Sequence, residues 1–284
     1  MDINKYKLIG KGTTANVYKL DDKRVLKLYH KKIYDERKVR ESNILKAITV
    51  DKESNINTTK IHEIVETPTE FGVILDYVEG KSLDSLYLFS IKKKCRIIAK
   101  LQYDLHNNVH LQEKIYLKDY LKGKILKAEI PKYLEDYISN LLESMPKGEE
   151  LCHGDFHGGN IIVNKDKFTI IDWAEGGRAE YIADIARTLT LLGVHPYEDF
   201  SHKWKEIKGI KNKIIYKVNE FLMKIYLKEY ESYRKIDRER LRKWQMIMDA
   251  AIIMDRPKAL KQLYLKDIVK SYNYFNSKDK KYEE

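Results

Sequence analysis

The sequence predicts an α+β fold in which a smaller, strand-rich N-terminal part precedes a larger, mostly helical C-terminal part. Three observations predict it. Short apolar runs of strand type, broken by turn residues, fill the first 77 positions. Apolar stripes at helical spacing dominate beyond residue 93. Between them, His153-Gly154-Asp155-Phe156-His157-Gly158-Gly159-Asn160 leads into a short hairpin that ends on Asp172. With 284 residues, the chain can bury a substantial core, as one large domain or two lobes.

In chain order, Tyr6 to Ile9 and Val17 to Leu20 read as strands flanking Gly10-Lys11-Gly12-Thr13-Thr14-Ala15-Asn16. Gly10 and Gly12 let the backbone approach a ligand closely, so the turn can lay N–H groups over phosphates; it also reads as a plain hairpin. No helix follows it, which argues against a dinucleotide-binding site, and there is no Walker A pattern. Arg24 to Tyr29 is a third strand. Lys27 within it is costly if buried and unpaired, and sensible if it meets phosphate and a carboxylate; alone it reads as an edge lysine facing water. A helix is predicted over 33–48. Ile61 to Glu66 and Phe71 to Tyr77 form a strand pair with Pro68 in their loop.

Ser82 and Leu83 open a short helix, and a longer one over 93–106 carries Ile97, Ile98, Leu101 and Leu105 on one side. His106 and His110 have i,i+4 spacing, but Asn107-Asn108 ends the helix between them, which disfavours a metal pair. Pro131 suits the first turn of a helix over 132–144. Leu151-Cys152 is strand-like. Ile161 to Val163 and Phe168 to Ile171 make a hairpin around the polar turn at 164–167. Helices over 212–233, 238–254 and 258–274 follow. Ile214, Val218, Phe221, Leu222 and Ile225 mark the first apolar stripe; Leu241, Trp244, Met248 and Ile252 mark the second; Pro257 opens the third helix. Residues 278–284 read as a frayed tail.

The hairpin brings an acid, an amide five residues later and a second acid toward one point. Asp155 can orient and deprotonate an attacking hydroxyl, while Asn160 and Asp172 are hard oxygen donors suited to Mg²⁺. His153-Gly154-Asp155 stands where protein kinases carry His-Arg-Asp, and Asp172-Trp173-Ala174 where they carry Asp-Phe-Gly. With these motifs, and with Ala183-Asp184-Ile185-Ala186-Arg187-Thr188, the chain resembles the aminoglycoside phosphotransferase and choline kinase family from about residue 8 to 192.

The resemblance implies a protein-kinase-like two-lobe fold, with a small antiparallel-sheet N-lobe at 1–80, including the hinge, and a larger helical C-lobe at 81–284 for catalysis and acceptor binding. It implies ATP or GTP as phosphoryl donor and Mg²⁺ as cofactor. Asp155 is the catalytic base, and Asn160 and Asp172 hold the metal. Lys27 grips the α/β-phosphates under Gly10 and Gly12. Glu41 is its partner, with Glu36 as the rival. Backbone groups of Asp76, Tyr77 and Val78 meet the purine edge. Asp184 bonds backbone in the catalytic loop, His153 braces that loop, and His157 lies near the phosphates at most. The chain departs from the family at Gly158-Gly159, where Pro-Gly is usual and a looser turn is expected, and at Ala179-Glu180-Tyr181, where Gly-x-Pro is common. Ala15 replaces the third glycine of the protein-kinase loop.

The chain has 54 basic and 43 acidic residues, net +11. Residues 201–284 hold 22 Lys/Arg against 12 Asp/Glu, or +10. No basic run is long, or interleaved with aromatics in a way that specifies a groove, so solvated helix faces explain the charge better than a nucleic-acid partner. Two distant cysteines and a polar start predict a reduced cytoplasmic protein without signal peptide or membrane span. The function expected is transfer of a γ-phosphoryl group to a small-molecule hydroxyl, with an aminoglycoside-type acceptor best matched by resemblance. Choline, sugar or nucleoside acceptors, or a non-catalytic nucleotide-binding module, are the alternatives. Polycationic acceptors need carboxylates, and Glu229, Glu231, Asp249 and Asp255 are the candidates against the basic field. Oligomeric state does not follow from the sequence.

Overall fold

The glycine-bearing segment folds as a hairpin, β1 (Lys7–Lys11) against β2 (Ala15–Lys19), with an irregularity in the pairing between Leu8 and Gly10. A computed structural model describes residues 3–12, 14–30, 36–52, 54, 56–66, 71–86, 90–192, 210–256 and 258–282. β3 (Arg24–Tyr29) continues the sheet, which is closed by β7 (Phe71–Asp76) and β6 (Ile61–Glu66) in the order β1-β2-β3-β7-β6, antiparallel throughout. Beyond this five-stranded sheet the chain is mainly helical. The α+β expectation therefore holds, with an antiparallel N-terminal region and a helical C-terminal part.

The helix predicted over 33–48 is described as α1 (Glu36–Ala47), and residues 33–35 lie outside the described set. It stops because Ile48–Val50 forms a strand, β4, that pairs with β9 (Val109–Leu111). Further short strands join the two regions. β5 (Ile56–Thr58) runs parallel to β12 (Lys167–Ile170); β8 (Lys81–Ser82) runs antiparallel to β11 (Ile161–Asn164). The hairpin between β11 and β12 has the predicted position and a tighter turn at Lys165-Asp166, with Lys165 at φ 54°.

The predicted helix at Ser82-Leu83 is only one 3₁₀ turn, Leu83–Ser85. α2 (Ile91–Asn108) buries Leu101 and Leu105 as expected and ends on Asn108. The strand that follows separates the two histidines: His106 is buried, while His110 is exposed beside Asp51. α3 (Leu117–Leu126) was not foreseen; α4 (Lys132–Ser144) was, with Pro131 just before its first turn. β10 (Glu150–Cys152) pairs with β13 (Gly177–Ala179) ahead of α5 (Tyr181–Leu192).

α6 (Ile210–Glu231) keeps only part of the predicted stripe. Leu222 is buried and Ile225 packs against the core as predicted, but Ile214, Val218 and Phe221 are exposed, and Met223, Tyr226, Leu227 and Tyr230 complete the buried face. The reason is polar: Tyr226 bonds Gln102 and Tyr230 bonds His106, which turns that face toward α2. α7 (Arg238–Ile252) buries Leu241, Trp244, Met248 and Ile252 as predicted. α8 (Lys258–Tyr282) corrects the frayed tail, since Phe275 is buried and Lys278 reaches Glu239 of α7 at 2.8 Å. Pro68 and Pro257 lie outside the described residues.

Two apolar clusters hold these elements. One contains Ile44, Val73, Leu105, Phe156, Ile161, Ile170 and Trp173, so the N-terminal sheet, α1, α2 and the central hairpin share a core. The other packs α2 to α8 around Trp244, Tyr226 and Tyr230. Among the described residues, no helix is long and apolar enough to cross a membrane.

Candidate active site

Alternation along β3 puts Lys27 and Tyr29 on one face of the sheet, toward α1. Lys27 Nζ donates to Glu41 Oε1 at 2.9 Å, Glu41 Oε2 at 2.8 Å and Asp172 Oδ1 at 2.8 Å. The Tyr29 hydroxyl also donates to Glu41. Glu41 is 1 % exposed, a position no unpaired carboxylate would hold. Burial by itself would lower the Lys27 pKa, but Glu41 and Asp172 outweigh it and keep the ammonium charged. Burial pushes the Glu41 carboxyl up, against the pull of Lys27. Of the two proposed partners, Glu41 makes the pair; the side chain of Glu36 lies outside the described residues.

The segment 153–160 is fixed mostly by its own hydrogen bonds. His153 is fully buried; its Nδ1 accepts from the Asp155 amide at 3.2 Å and its Nε2 faces the Ile171 carbonyl at 3.0 Å. Burial lowers its pKa and keeps the ring neutral, as these roles require. Asp184 accepts from the Gly154 amide at 2.8 Å, the backbone contact expected of it. Asn160 Nδ2 donates to the Asp155 carbonyl at 2.9 Å and to its Oδ2 at 3.2 Å. One turn of chain later, the Ile171 amide donates to the Asn160 carbonyl at 3.0 Å, which seats Asp172 beside it. Asp172 adopts φ 66°, uncommon for a residue with a side chain. Burial would raise the carboxyl pKa of Asp172, but Lys27 more than offsets it.

The sequence underrates His157. Its Nε2 lies 3.5 Å from Asp155 Oδ2, and its Nδ1 lies 3.1 Å from the Gly159 amide nitrogen and 4.0 Å from Asp84 Oδ2. Burial would depress the imidazole, but the two carboxylates raise it to about 9. Burial would likewise raise the Asp155 carboxyl; His157 and Arg187 outweigh that and hold it well below the usual carboxylate range. The Gly158-Gly159 turn is tighter than expected. A Cβ on Gly158 would sit 2.1 Å from Asp84 Oδ1, and one on Gly159 2.7 Å from the His157 ring. At the other departure, Glu180 accepts from Arg240 at 2.7 Å and from the Trp244 indole at 2.9 Å, so side-chain bonds to α7 anchor that turn.

A cavity of about 260 Å³ is lined by Ile9, Gly10, Val17, Val25, Lys27 and Asp172, with Leu75, Asp76, Tyr77 and Val78 along its hinge edge. Gly12, beside it in the hairpin, donates its amide to Ala15 at 2.9 Å. Of the backbone groups expected at a base edge, the Asp76 amide donates to the Lys60 carbonyl and the Tyr77 amide to the Lys23 carbonyl. Asn160 and Asp172 fit a hard divalent cation: the Asn160 nitrogen is spent on Asp155, which leaves Oδ1 as donor, and Asp172 keeps Oδ2 while Lys27 takes Oδ1. His106, Cys152 and Asp184 also cluster, with donor atoms within 4.8 Å of one another. They are buried and occupied by protein bonds, and burial raises the Cys152 thiol far from its ligating form.

Of the four acceptor-side carboxylates singled out from the sequence, Asp255 lines a small cavity beside Gly154 and Arg187, where Lys124 bonds it at 2.6 Å. Asp249 is buried against Thr190, Glu229 bonds Tyr233, and Glu231 bonds Arg238. Sequence reasoning missed Tyr29, Asp84, Glu175 and Arg187. The Lys27–Tyr29 alternation and the place of Arg187 in the 183–188 motif are the readable signals.

The profile of the family described as "Phosphotransferase enzyme family" matches residues 5–210. No curated protein matches. The fold is similar to that of a thermostable mutant of aminoglycoside phosphotransferase APH(4)-Ia, solved as a ternary complex with ADP and hygromycin B: TM-score 0.57, 10% identity, covering 96% of this chain and 92% of that one. It is also similar to amicoumacin kinase hAmiN, in complex with AMP-PNP, Ca²⁺ and Ami: TM-score 0.56, 14% identity, covering 94% and 87%. A third similar structure is aminoglycoside phosphotransferase APH(3'')-Id from Streptomyces rimosus: TM-score 0.53, 16% identity, covering 88% and 93%.

Proposed function

Because the chain belongs to the phosphotransferase enzyme family, we propose that it moves the γ-phosphoryl group of ATP or GTP to a hydroxyl of a small molecule. One observation carries the reading. A charged, buried Lys27 held by Glu41 reaches Asp172 on the wall of a cavity whose far edge is the 76–78 segment. Asn160 and Asp155 are bonded to each other next to Asp172.

These contacts support the following division of labour. Residues 1–80 form the nucleotide-binding lobe, with Gly10 and Gly12 over the phosphates, Lys27 on the α/β-phosphates and the 76–78 backbone at the base. Residues 81–284 supply the catalytic loop and the acceptor pocket. Asp155, held ionised, orients the acceptor hydroxyl and takes its proton. Asn160 and Asp172 would hold Mg²⁺, which when bound offsets the charge of the phosphates. His157 lies near the phosphates, where its raised pKa makes it a cation at neutral pH.

For the acceptor, the resemblance of sequence and fold favours an aminoglycoside-type molecule, and two of the similar structures hold such compounds or are named for acting on them. Choline, a sugar or a nucleoside is the alternative within the same reaction. The setting is the cytoplasm, with Cys95 and Cys152 both free thiols. An acceptor screen with radiolabelled ATP and GTP tests the reading. Label on an aminoglycoside supports it; label on another alcohol revises the acceptor. A nucleotide-dependent thermal shift with no turnover on any acceptor would instead indicate a non-catalytic module.

A further inference from the structure

Arg187 belongs to the motif at 183–188, and its contacts give it more than a charge beside Asp155. It is 6 % exposed on α5. Its Nε donates to the Gly154 carbonyl at 2.7 Å and its Nη2 to Glu175 at 2.6 Å, while Nη2 lies 3.7 Å from Asp155 Oδ1. One turn earlier on α5, Asp184 accepts from the Gly154 amide at 2.8 Å. The peptide units on either side of Gly154 are thus gripped by one helix, amide by Asp184 and carbonyl by Arg187. Gly154 sits at φ 77°, and a Cβ there would lie 2.1 Å from the Glu175 carbonyl oxygen. The loop is therefore pressed against the turn that carries Glu175.

We infer that Arg187 is a positioning residue: with Glu175 drawing its second nitrogen away, it aims the Asp155 carboxylate by clamping the Gly154 carbonyl. This rests on the kinase reading for its consequence in turnover, though not for the clamp. Glu175 matters because the guanidinium has a choice. Bonded to Glu175, it leaves Asp155 at 3.7 Å, close enough to feel the charge and too far to bind it. An Asp155 bonded tightly to arginine would have its oxygens turned away from an acceptor hydroxyl.

The test uses the full chain as Arg187→Met, Arg187→Lys and Glu175→Gln, beside the wild type and Asp155→Asn. Turnover of Mg²⁺–ATP, with water as acceptor, gives kcat and the nucleotide KM. Amide hydrogen exchange over 153–160 reports the clamp without needing turnover. Arg187→Met should lower kcat roughly 10–100-fold with KM within about two-fold, because a misdirected base and not a lost nucleotide contact is at fault. It should speed exchange at 154–160 about ten-fold or more. Arg187→Lys, which keeps the charge and loses the fork, should recover only part of either, and Glu175→Gln should lower kcat with exchange little changed. Arg187→Met with wild-type kcat while Asp155→Asn is impaired overturns the positioning role. Unchanged exchange at 154–160 overturns the clamp. If Arg187→Met does not fold, the lysine and Glu175→Gln variants decide by the same criteria. Full turnover in Asp155→Asn would instead remove the kinase assignment of Asp155 and leave the exchange result to judge the clamp.

Discussion

Lys27 and Glu41 form a buried two-pronged pair, with side chains 9 % and 1 % exposed and N···O distances of 2.9 and 2.8 Å. Removing one partner strands the other. Lys27→Met should destabilise the fold by about 3–5 kcal/mol, because Glu41 is left buried against Tyr29 without a cation. Lys27→Met combined with Glu41→Gln should regain much of that stability and none of the turnover. Urea unfolding of the two variants, read beside an activity assay, separates the outcomes; a double variant as unstable as the single would contradict this account.

Asp155→Ala should lose roughly 10²–10⁴-fold in kcat, with nucleotide-induced thermal stabilisation retained. Asp155 is not among the residues that line the cavity, so nucleotide affinity should barely change. Wild-type turnover in this variant would take the base role away from it.

Asn160→Ala and Asp172→Asn should each raise the Mg²⁺ concentration needed for half-maximal turnover, and chelation should stop the wild type. Asp172→Asn should do more, because it also removes a carboxylate that Lys27 contacts at 2.8 Å. Titration of turnover against Mg²⁺ measures both effects, and equal requirements in all three proteins would exclude the pair as the metal ligands.

His157 rises from 6.5 to about 9 on folding. Its stabilisation is therefore whole below pH 6.5 and is lost as pH climbs through 9. The side chain is 43 % exposed, so solvent screens the effect. Unfolding midpoints at about pH 6 and about pH 10 should differ more in the wild type than in His157→Gln; parallel slopes would show that the carboxylates of Asp155 and Asp84 do not hold the charged ring.

Two glycines in the loop should respond differently to alanine. At Gly154 the backbone has φ 77° and the added carbon meets the Glu175 carbonyl oxygen at 2.1 Å, so Gly154→Ala should cost about 1–3 kcal/mol or more and silence the site. At Gly158 the obstacle is the Asp84 carboxylate, 59 % exposed, which can swing aside. Thermal melts should rank Gly158→Ala well above Gly154→Ala.

Local chemistry made part of this molecule readable in advance. The strands around Gly10 and Gly12, Lys27 in β3, and the hairpin after Asn160 rest on alternation and turn residues within a few positions. The stripe of α7 was legible because one face is simply apolar, whereas α6 keeps only Leu222 and Ile225 of its stripe because its buried face also carries tyrosines that bond Gln102 and His106 across 124 positions. Residues 278–284 read as a tail for the same reason: Glu239, the partner of Lys278, lies 39 positions away in sequence.

What the sequence determined alone is the α+β class, with a strand-rich part before a helical one, and the closeness of Asp155, Asn160 and Asp172, because spacing along a loop and a hairpin constrains where such side chains can go. Tertiary structure decided the rest. Pairing of β4 with β9 set where α1 ends, Asp84 closed the Gly158 turn from 74 positions away, and Arg187 reached Gly154 across 33. Contacts of that range depend on packing three-dimensional surfaces together, and no periodicity in the chain encodes them.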